Sequence, residues 1–471
     1  MVLLLLTKIM TEIKKWLYKL TFSNKSIAPL VVFRILFGVM MFLSTLRFIL
    51  NGWVYDLYIQ PSYFFTYLGF DWVKPFDLYG ISLLFGLLLL STLFIALGFF
   101  YRISSIVFFI CFTYIELIDK TNYLNHYYFI SLVSFLLMFL PANKACSLDA
   151  YLGFTSKQEK VQAWSINILK FQMAVVYIFA GLSKLNYDWL FEAQPLRNWL
   201  KHQTDLPLIG ELMQYEFTAY LFSWGGALFD LFIVFILINN RFRIYGYTLV
   251  IIFHGLTAVM FPIGVFPYVM IVSTLIFFST DFHKNVVAWI QNRISLKSKN
   301  INKGQINSPI LPKRSTGIIL SIYIAIQLLV PLRYLAYPGD LFWTEQGYRF
   351  SWRVMLIEKA GYAQFFIHHP ENGMKKRIDN KEYLTPQQEK MMSTQPDMIL
   401  QFAHHLRDEY SDTVIVEANG VEINIKEPKV TAEVYVSLFN KGSRLFIDPE
   451  VNLSKINRGF HHKDWILKNE K

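Results

Sequence analysis

The chain has 471 residues, of which 54% are hydrophobic and 17% aromatic, and its mean hydropathy is +0.34. Soluble domains contain about 45–50% apolar residues, so this composition excludes an ordinary soluble protein and predicts a polytopic membrane protein. The formal net charge of +11 needs no nucleic-acid partner, because basic inner loops facing anionic lipid headgroups account for it.

Nine apolar segments follow one another along the first two thirds of the chain. Several approach the roughly 20 residues that a helix needs to cross a bilayer, whereas the shorter ones could be tilted, re-entrant or merged. The segments are Ala28–Leu50, Tyr79–Phe100, Ile103–Ile118, Tyr127–Leu140, Trp164–Gly181, Phe217–Ile238, Tyr245–Met260, Val265–Phe278 and Gly317–Leu332. We therefore predict a mainly α membrane protein: a polytopic bundle of about nine transmembrane helices followed by a small extracytoplasmic α+β domain.

Composition divides the chain into three regions. Residues 1–27 begin with an apolar stretch that is followed by lysines and by no small-residue cleavage site, which favours a cytoplasmic amphipathic segment lying on the membrane. Residues 28–333 carry the predicted spans and form the transmembrane domain. Residues 334–471 have a water-soluble composition and form the predicted α+β domain.

The α+β domain is predicted from its local patterns. Pro386–Tyr410 contains a predicted helix, and Thr413–Lys426 alternates apolar and polar residues around Asn419-Gly420, a pattern typical of a β-hairpin. Val430–Phe439 and Leu445–Ile447 add further strands.

Positive charge in the loops predicts the orientation of the bundle, because lysine and arginine are retained on the cytoplasmic side. With the N-terminus inside, every basic loop falls inside. These residues are Lys14, Lys15, Lys19, Lys25, Arg102, Lys144, Lys157, Lys160, Arg241, Arg243 and the stretch from Lys284 to Arg314. An odd number of spans then places the C-terminal domain outside.

Polar residues gather in or beside the outer halves of the spans and are candidates for a functional site. They are Glu116, Asp119, Lys120, Asn122, Asn125 and His126 around the turn between spans three and four, Lys184 at the end of span five, and His254 in span seven. Lys184 must reach the headgroups, find a partner or lose its proton. His126 is equally consistent with an interfacial aromatic belt, and His254 with helix packing. Asp230 can be explained by helix packing alone. Spacing does not decide between these alternatives.

Other chemistries lack sequence support. The three His-His pairs do not have the HExxH spacing or any other metal-ligand spacing, so we predict no metal site. A Walker loop, a dinucleotide-binding glycine motif and a GxSxG elbow are all missing from the sequence. Cys111 and Cys146 fall at different depths of the predicted bundle and are not expected to pair.

Four blocks of the sequence resemble a known family. They are Asp119–His126, Val176–Trp189, His254 together with Ile263–Met270, and Tyr348–Trp352. In this order they are similar to the vitamin K-dependent γ-glutamyl carboxylases, which belong to the broader class of horizontally transferred transmembrane domain (HTTM) proteins. The resemblance extends over nearly the whole chain, and its source is expected to be bacterial.

The resemblance implies an enzyme that oxidises reduced vitamin K, a naphthoquinol such as phylloquinol or menaquinol, with O2 to its epoxide. It couples this reaction to the addition of CO2 at the γ-carbon of a protein glutamate, and it uses no metal. The partners implied are the lipid bilayer and a glutamate-containing peptide or protein, which residues 334–471 would present to a catalytic domain at residues 28–333. The protein substrate, the native quinone and the oligomeric state are left open.

The resemblance also assigns roles to individual residues. Lys184 matches the amine that takes a proton from the hydroquinone, which requires its neutral form, and desolvation favours that form. His126 and Asn125 match catalytic residues that stabilise oxygen intermediates and bind the quinol oxygen. The implied cofactor-binding residues are Tyr123, His254, Tyr348 and Trp352.

Two departures from the family pattern stand near these residues. Ser183 replaces a lysine of the animal members, and Tyr123 and Leu124 replace tryptophan and asparagine. An alternative function therefore stays open: a membrane protein that binds or epoxidises quinol, or recognises lipid, without carboxylation. The expected location is a bacterial inner membrane with the active site facing the periplasm, or the endoplasmic reticulum membrane if the host is eukaryotic.

Overall fold

A computed structural model of the protein describes residues 2–207, 209–293, 314–368, 373, 375–416 and 422–469. Its α-helices are α1 (Val2–Thr21), α2 (Ala28–Leu50), α3 (Trp53–Tyr58), α4 (Leu78–Leu97), α5 (Tyr101–Ile118), α6 (Asn125–Leu137), α7 (Leu148–Tyr151), α8 (Trp164–Ser183), α9 (Tyr187–Glu192), α10 (Leu196–Leu200), α11 (Glu216–Ile238), α12 (Arg243–Met260), α13 (Phe266–Thr274), α14 (Thr280–Arg293), α15 (Arg314–Leu329), α16 (Leu341–Thr344), α17 (Pro386–Met392) and α18 (Pro396–Tyr410). Its strands are β1 (Asn24–Ser26), β2 (Lys160–Gln162), β3 (Lys359–His368), β4 (Lys375–Arg377), β5 (Thr413–Val416), β6 (Glu422–Ile425), β7 (Lys429–Leu438) and β8 (Ser443–Leu445).

Seven helices among the described residues are long and apolar enough to cross a membrane. They are α2, α4, α5, α8, α11, α12, and α15 with the 3-10 turn that extends it to Ala336. The chain is therefore a polytopic helical membrane protein, as predicted, but the predicted count of about nine spans is too high. An eighth span is present only if the bent pair Phe266–Phe277 and Thr280–Arg293 is counted as one crossing.

Two predicted spans are shorter than their apolar runs suggested. Helix α6 has 13 residues, or about 20 Å of helix, which is less than the hydrocarbon thickness of about 30 Å. It nevertheless runs back along α5, since the Tyr101 hydroxyl at the start of α5 donates to the Leu137 carbonyl at the end of α6, at 2.8 Å. The other predicted span, Val265–Phe278, ends at a bend of 114° into α14. Apolar composition predicted both segments, but it did not predict where each helix ends.

Basic residues gather at the end of the bundle that is opposite the C-terminal domain. Lys25 in β1 pairs with Val161 in β2, and the Arg102 guanidinium donates to the Met138 carbonyl just after α6. At the other end, the turn between α5 and α6 contacts α18 through Lys120. Lys25 and Arg102, two of the residues that the positive-inside rule assigned to the inner loops, therefore lie at the same end of the bundle.

Arg34 ties the inner loops to α2 although it is fully buried in a membrane helix. Its guanidinium donates to the carbonyls of Ala142, Ile95, Ala96 and Cys146 at distances of 2.6–3.1 Å. A buried guanidinium is tolerated when its donors are satisfied. These four bonds hold the last turn of α4 and the loop after α6 against one side chain.

The C-terminal region contains a four-stranded antiparallel sheet in the order β4-β3-β7-β8. β3 and β7 pair over ten residues each, from Lys359 opposite Leu438 to His368 opposite Lys429. The predicted strand over Val430–Phe439 corresponds to β7, and the central strand β3 was not predicted. β5 and β6 pair as an antiparallel hairpin, whose predicted Asn419-Gly420 turn lies outside the described residues.

The helix predicted over Pro386–Tyr410 is two helices, α17 and α18, separated by Ser393–Gln395. Pro396 begins α18, and a proline disfavours helical geometry in the residue before it. The prediction that this range contains a helix is therefore confirmed, and the break at Ser393–Gln395 was not predicted. Met398 and Phe402 of α18 are fully buried in the core that the helices share with the sheet.

A partly buried cluster of charges attaches this domain to the membrane bundle. The Asp397 carboxylate in α18 accepts from Lys120 Nζ and from Arg349 Nη1, each at 2.8 Å. Burial opposes ionisation of Asp397, but Arg349 and Lys120 together hold the pKa of its carboxyl well below the ordinary value. Burial lowers the pKa of Lys120 to about 8 although Asp397 acts in the opposite direction. One carboxylate thus joins the α5–α6 turn to the C-terminal domain.

Candidate active site

An apolar cavity lies among α8, α11, α12 and α13, at the end of the bundle that faces the C-terminal domain. The space between its walls, counted together with the part that opens to solvent, is about 710 Å³. Aromatic and aliphatic side chains form most of the lining, with Lys184, Asp230 and His254 as charged or titratable members. A mostly apolar cavity with a few convergent polar groups is the usual form of a small-molecule site.

Lys184 caps the C-terminal end of α8 and is buried, with an exposed fraction of 5%. Its Nζ lies 2.6 Å from Asp230 Oδ2 and 3.4 Å from the Ala180 carbonyl oxygen. It also lies 5.4 Å from the centre of the Trp189 ring, within the range of a cation–π contact. The sequence left three alternatives open for Lys184: to reach the headgroups, to find a partner or to lose its proton. The geometry is that of a lysine with a buried partner, and the side chain does not extend to the headgroups.

Gly181 makes this pairing possible. A Cβ atom at position 181 would lie 2.7 Å from the Leu231 backbone nitrogen, so α8 and α11 approach more closely than any other residue allows. Small residues at the contacts of membrane helices permit such close packing. Because Leu231 follows Asp230, this approach brings the Asp230 carboxylate to the end of α8, beside Lys184.

His254 faces the same cavity from α12 and is 2% exposed. Its Nε2 lies 3.1 Å from the Tyr177 hydroxyl, which lies 3.3 Å from Thr274 Oγ1. Thr274 donates to the Met270 carbonyl at 2.7 Å. His254 Nδ1 is buried and has no hydrogen-bond partner among the described residues.

His126 begins α6 and is buried beside the cavity, but it does not line it. Its ring lies 5.7 Å from the Phe266 ring, and the Phe266 ring lies 5.8 Å from that of His254. The Phe266 side chain therefore stands between the two predicted histidines.

Asn125 and Tyr123 hold the segment that follows the last span. The Tyr123 hydroxyl donates to Asn125 Oδ1 at 3.0 Å and accepts from the Phe350 amide at 2.8 Å. The Asn125 amide donates to the Arg353 carbonyl at 3.2 Å. The next two residues, Val354 and Met355, line the cavity.

Trp352 and Tyr348 lie on this segment, outside the cavity lining. The Trp352 ring is fully buried and stacks on Tyr128, with ring centres 5.0 Å apart. The Tyr348 ring packs toward Phe342, at 6.4 Å, in the core of the C-terminal region. The structure thus brings Lys184 and His254 into one cavity, whereas Tyr123, Asn125 and Trp352 support its wall.

Asp230 and Gly181 are the residues of this site whose part was not predicted. For Asp230 the sequence left helix packing open as an explanation and indicated no partner, although an aspartate in an otherwise apolar span was a usable signal. Gly181 lies three residues before Lys184, and its spacing alone did not indicate which helix it contacts. Among the described residues, no group of three or more His, Cys, Asp or Glu side chains has a geometry that could hold a metal ion.

Comparison with protein families gives two matches that together cover most of the chain. Residues 22–282 match the HTTM domain, and residues 312–471 match the lumenal domain of the vitamin K-dependent γ-carboxylase. The chain belongs to the γ-glutamyl carboxylase family. No solved structure matches it.

Membership in this carboxylase family fits the position of the cavity. Most of its lining belongs to the HTTM region, and Val354 and Met355 belong to the region that matches the carboxylase lumenal domain. In this chain, residues from both matched regions therefore line one apolar cavity that contains Lys184.

Proposed function

We propose that this protein is a vitamin K-dependent γ-glutamyl carboxylase that couples epoxidation of a reduced naphthoquinone to the addition of CO2 at the γ-carbon of a protein glutamate. The observation that carries the proposal is a buried lysine in an apolar cavity of a carboxylase-family chain. Because the γ C–H of glutamate is a very weak acid, the oxygenation of the quinol supplies the strong base that the carboxylation needs.

The cavity suits a naphthoquinol in shape and in chemistry. Phe222, Phe253 and Phe266 offer flat apolar surfaces to a fused ring system. Two buried groups, the Lys184 amine and His254 Nδ1, are available for polar atoms of the ligand. The amine acts as a base only when it is uncharged, and Asp230 Oδ2, at 2.6 Å, is close enough to take up its proton.

The other predicted residues contribute to the same proposed site. His126 lies behind Phe266, so a rotation of that ring would open a path from the imidazole to the cavity. Tyr123, Asn125 and Trp352 hold the segment whose Val354 and Met355 close the cavity. Exclusion of water by this wall would protect reactive species from hydrolysis.

The C-terminal domain is proposed to present the glutamate-containing peptide, because it packs at the end of the bundle where the cavity lies. Under the positive-inside rule this end faces the periplasm, or the lumen of the endoplasmic reticulum in a eukaryote. The lipid bilayer surrounds the seven spans.

The test uses the purified full chain in detergent with reduced vitamin K, labelled bicarbonate and a glutamate-containing peptide. Carbon fixation together with epoxide is the expected result. Epoxide without fixed carbon would leave only quinol oxidation, and neither product would leave a binding function.

The role of Lys184 is tested with Lys184→Met, which should lower epoxide formation by about 10²–10⁴-fold, the usual contribution of a general base. Lys170→Met is the matched control, because Lys170 lies in the same helix with its Nζ 5.7 Å from the Phe277 ring and outside the cavity. Equal activity of the two variants would refute the assignment of Lys184.

A further inference from the structure

The hydrogen-bonded chain behind His254 determines which imidazole nitrogen carries the hydrogen. Thr274 has one hydroxyl hydrogen, and the Met270 carbonyl at 2.7 Å can only accept it. The contact of 3.3 Å between Tyr177 Oη and Thr274 Oγ1 can then be a hydrogen bond only if the Tyr177 hydroxyl is the donor. Tyr177 has no second hydrogen for His254, so His254 Nε2 must donate to the Tyr177 oxygen at 3.1 Å.

This assignment leaves His254 Nδ1 as a lone-pair acceptor, since a neutral imidazole has one donor and one acceptor nitrogen. The opposite tautomer would place two oxygens, Tyr177 Oη and Thr274 Oγ1, at 3.3 Å with no hydrogen between them. Nδ1 is buried and has no partner among the described residues, although buried polar atoms are generally paired. His254 lines the cavity, so a ligand in the cavity is the partner that this nitrogen lacks.

We propose that His254 is a specificity-determining residue that selects the reduced form of the naphthoquinone, because the Tyr177–Thr274 chain holds its Nδ1 as an acceptor toward the cavity. This inference rests on the proposed quinol site. A hydroquinone has hydroxyl groups that donate to Nδ1. An oxidised quinone has carbonyl oxygens at the same ring positions, and these would face the Nδ1 lone pair without a hydrogen between them.

Two other polar groups of the cavity, Lys184 and Thr257, do not make this distinction, and the Asp230 carboxylate is engaged by Lys184 through Oδ2. The Lys184 ammonium donates to a hydroxyl or a carbonyl oxygen alike, and its direct partner is Asp230. Thr257 also lines the cavity, but its hydroxyl donates to the His254 carbonyl at 3.0 Å. Within the described residues, His254 is thus the cavity residue whose acceptor is fixed and unpaired.

The experiment measures the dissociation constants of a naphthohydroquinone and of the corresponding naphthoquinone for the full chain in detergent under argon. Quenching of tryptophan fluorescence reports binding, since Trp189 lines the cavity. Wild-type protein should bind the hydroquinone about tenfold or more tightly than the quinone. The hydroquinone forms one hydrogen bond with His254 Nδ1, whereas the quinone leaves this buried nitrogen unpaired. His254→Phe should bring this ratio close to one, chiefly by weakening hydroquinone binding.

Tyr177→Phe tests the tautomer separately from the imidazole itself. Without the tyrosine oxygen, His254 can place its hydrogen on Nδ1, so quinone affinity should rise and the ratio should fall. Thr248→Val is the matched control, because Thr248 lies in the same helix but outside the cavity lining, with its hydroxyl donating to the Ile244 carbonyl, and it should keep the wild-type ratio. Nitrogen NMR of histidine-labelled protein should show His254 hydrogenated at Nε2 in the wild type.

The outcomes separate this inference from the proposed function. Wild-type protein that makes epoxide, but whose binding ratio is unchanged in both His254→Phe and Tyr177→Phe, would overturn the inference alone. An Nδ1–H tautomer in the wild type would overturn it even if His254→Phe failed to fold. A wild type that selects the hydroquinone through His254 but forms neither product would instead contradict the carboxylase proposal.

Discussion

Replacement of Gly181 by alanine should separate the two helices that bring Lys184 and Asp230 together. The added Cβ would lie 2.7 Å from the Leu231 nitrogen, whereas ordinary contacts of a Cβ begin at 3.4 Å. Because the obstacle is backbone, a side-chain rotation cannot relieve it, and α11 must move by about 0.7 Å. If the shift reaches the ion pair in full, the distance between Lys184 Nζ and Asp230 Oδ2 grows from 2.6 Å to about 3.3 Å.

Both the stability and the activity of the variant should report this displacement. Overpacking of a well-packed contact typically costs about 1–3 kcal/mol, and a misplacement of about 1 Å at an active site can lower activity by about 10²-fold. We expect Gly181→Ala to melt at a lower temperature and to form epoxide about 10–100 times more slowly. The measurements are thermal unfolding of the purified full chain and epoxide formation from reduced vitamin K.

Gly225→Ala provides the matched control, because Gly225 lies in α11 and a Cβ there would meet nothing within 4 Å. Alanine in place of an unencumbered helical glycine usually stabilises by up to about 1 kcal/mol, so this variant should match or exceed the wild type in both assays. If Gly181→Ala behaved like Gly225→Ala, the argument that close helix approach positions the ion pair would be refuted.

Two further predictions concern the buried charges. Asp230→Leu should destabilise the bundle by about 3–5 kcal/mol, because it leaves the buried Lys184 ammonium unpaired. The double variant Asp230→Leu with Lys184→Met should recover most of that loss in thermal unfolding. A double variant as unstable as Asp230→Leu alone would contradict the pairing. Asp397 has a folded-state pKa below its unfolded value of about 3.9, so its stabilising contribution is present above that value and is lost as pH falls toward the folded pKa. The measurement is the melting temperature of the wild type and of Asp397→Asn from pH 7 into the acid range. The variant should be less stable at pH 7, and its melting temperature should fall less steeply with decreasing pH. Parallel curves for the two proteins would show that Asp397 does not stabilise the attachment.

Sequence patterns predicted the long spans but not the contacts between them. An apolar run of about 20 residues has few alternatives to a membrane helix, so α2, α4, α8 and α11 agree closely with the predicted segments. α6 was predicted too long because apolar residues continue through the turn after Leu137. An apolar stretch of sequence therefore indicates affinity for lipid, but it does not predict the length of the helix.

The candidate site, too, could be predicted from the sequence only in part. Lys184 and His254 stand out in sequence because polar residues beside spans are rare, and both line the cavity. Lys184 and Asp230 are 46 residues apart, and their contact depends on the approach of α8 to α11 at Gly181. No local pattern encodes that approach. The family resemblance identified residues that support the cavity wall, such as Asn125. It did not indicate that the Asn125 side chain donates a hydrogen bond to the Arg353 carbonyl of the same chain.

The wall of the cavity depends on backbone conformations that one domain alone would not maintain. Phe350, Trp352 and Met355 all have positive φ, between 55° and 62°, and each such residue costs of order 1–3 kcal/mol unless its surroundings enforce it. The enforcing contacts come from the bundle, through the Tyr123 hydroxyl on the Phe350 amide and through Tyr128 stacked on Trp352.

Arg349, next to this segment, is held in turn by Asp397 of the C-terminal domain. The strained segment is therefore held from both sides, and it carries Val354 and Met355 into the lining of the cavity. It follows that loosening the charge cluster at Asp397 should open the cavity as well as weaken the attachment. In Asp397→Asn, naphthohydroquinone binding should weaken even though Asp397 does not line the cavity, and unchanged binding would show that the bundle alone shapes the wall.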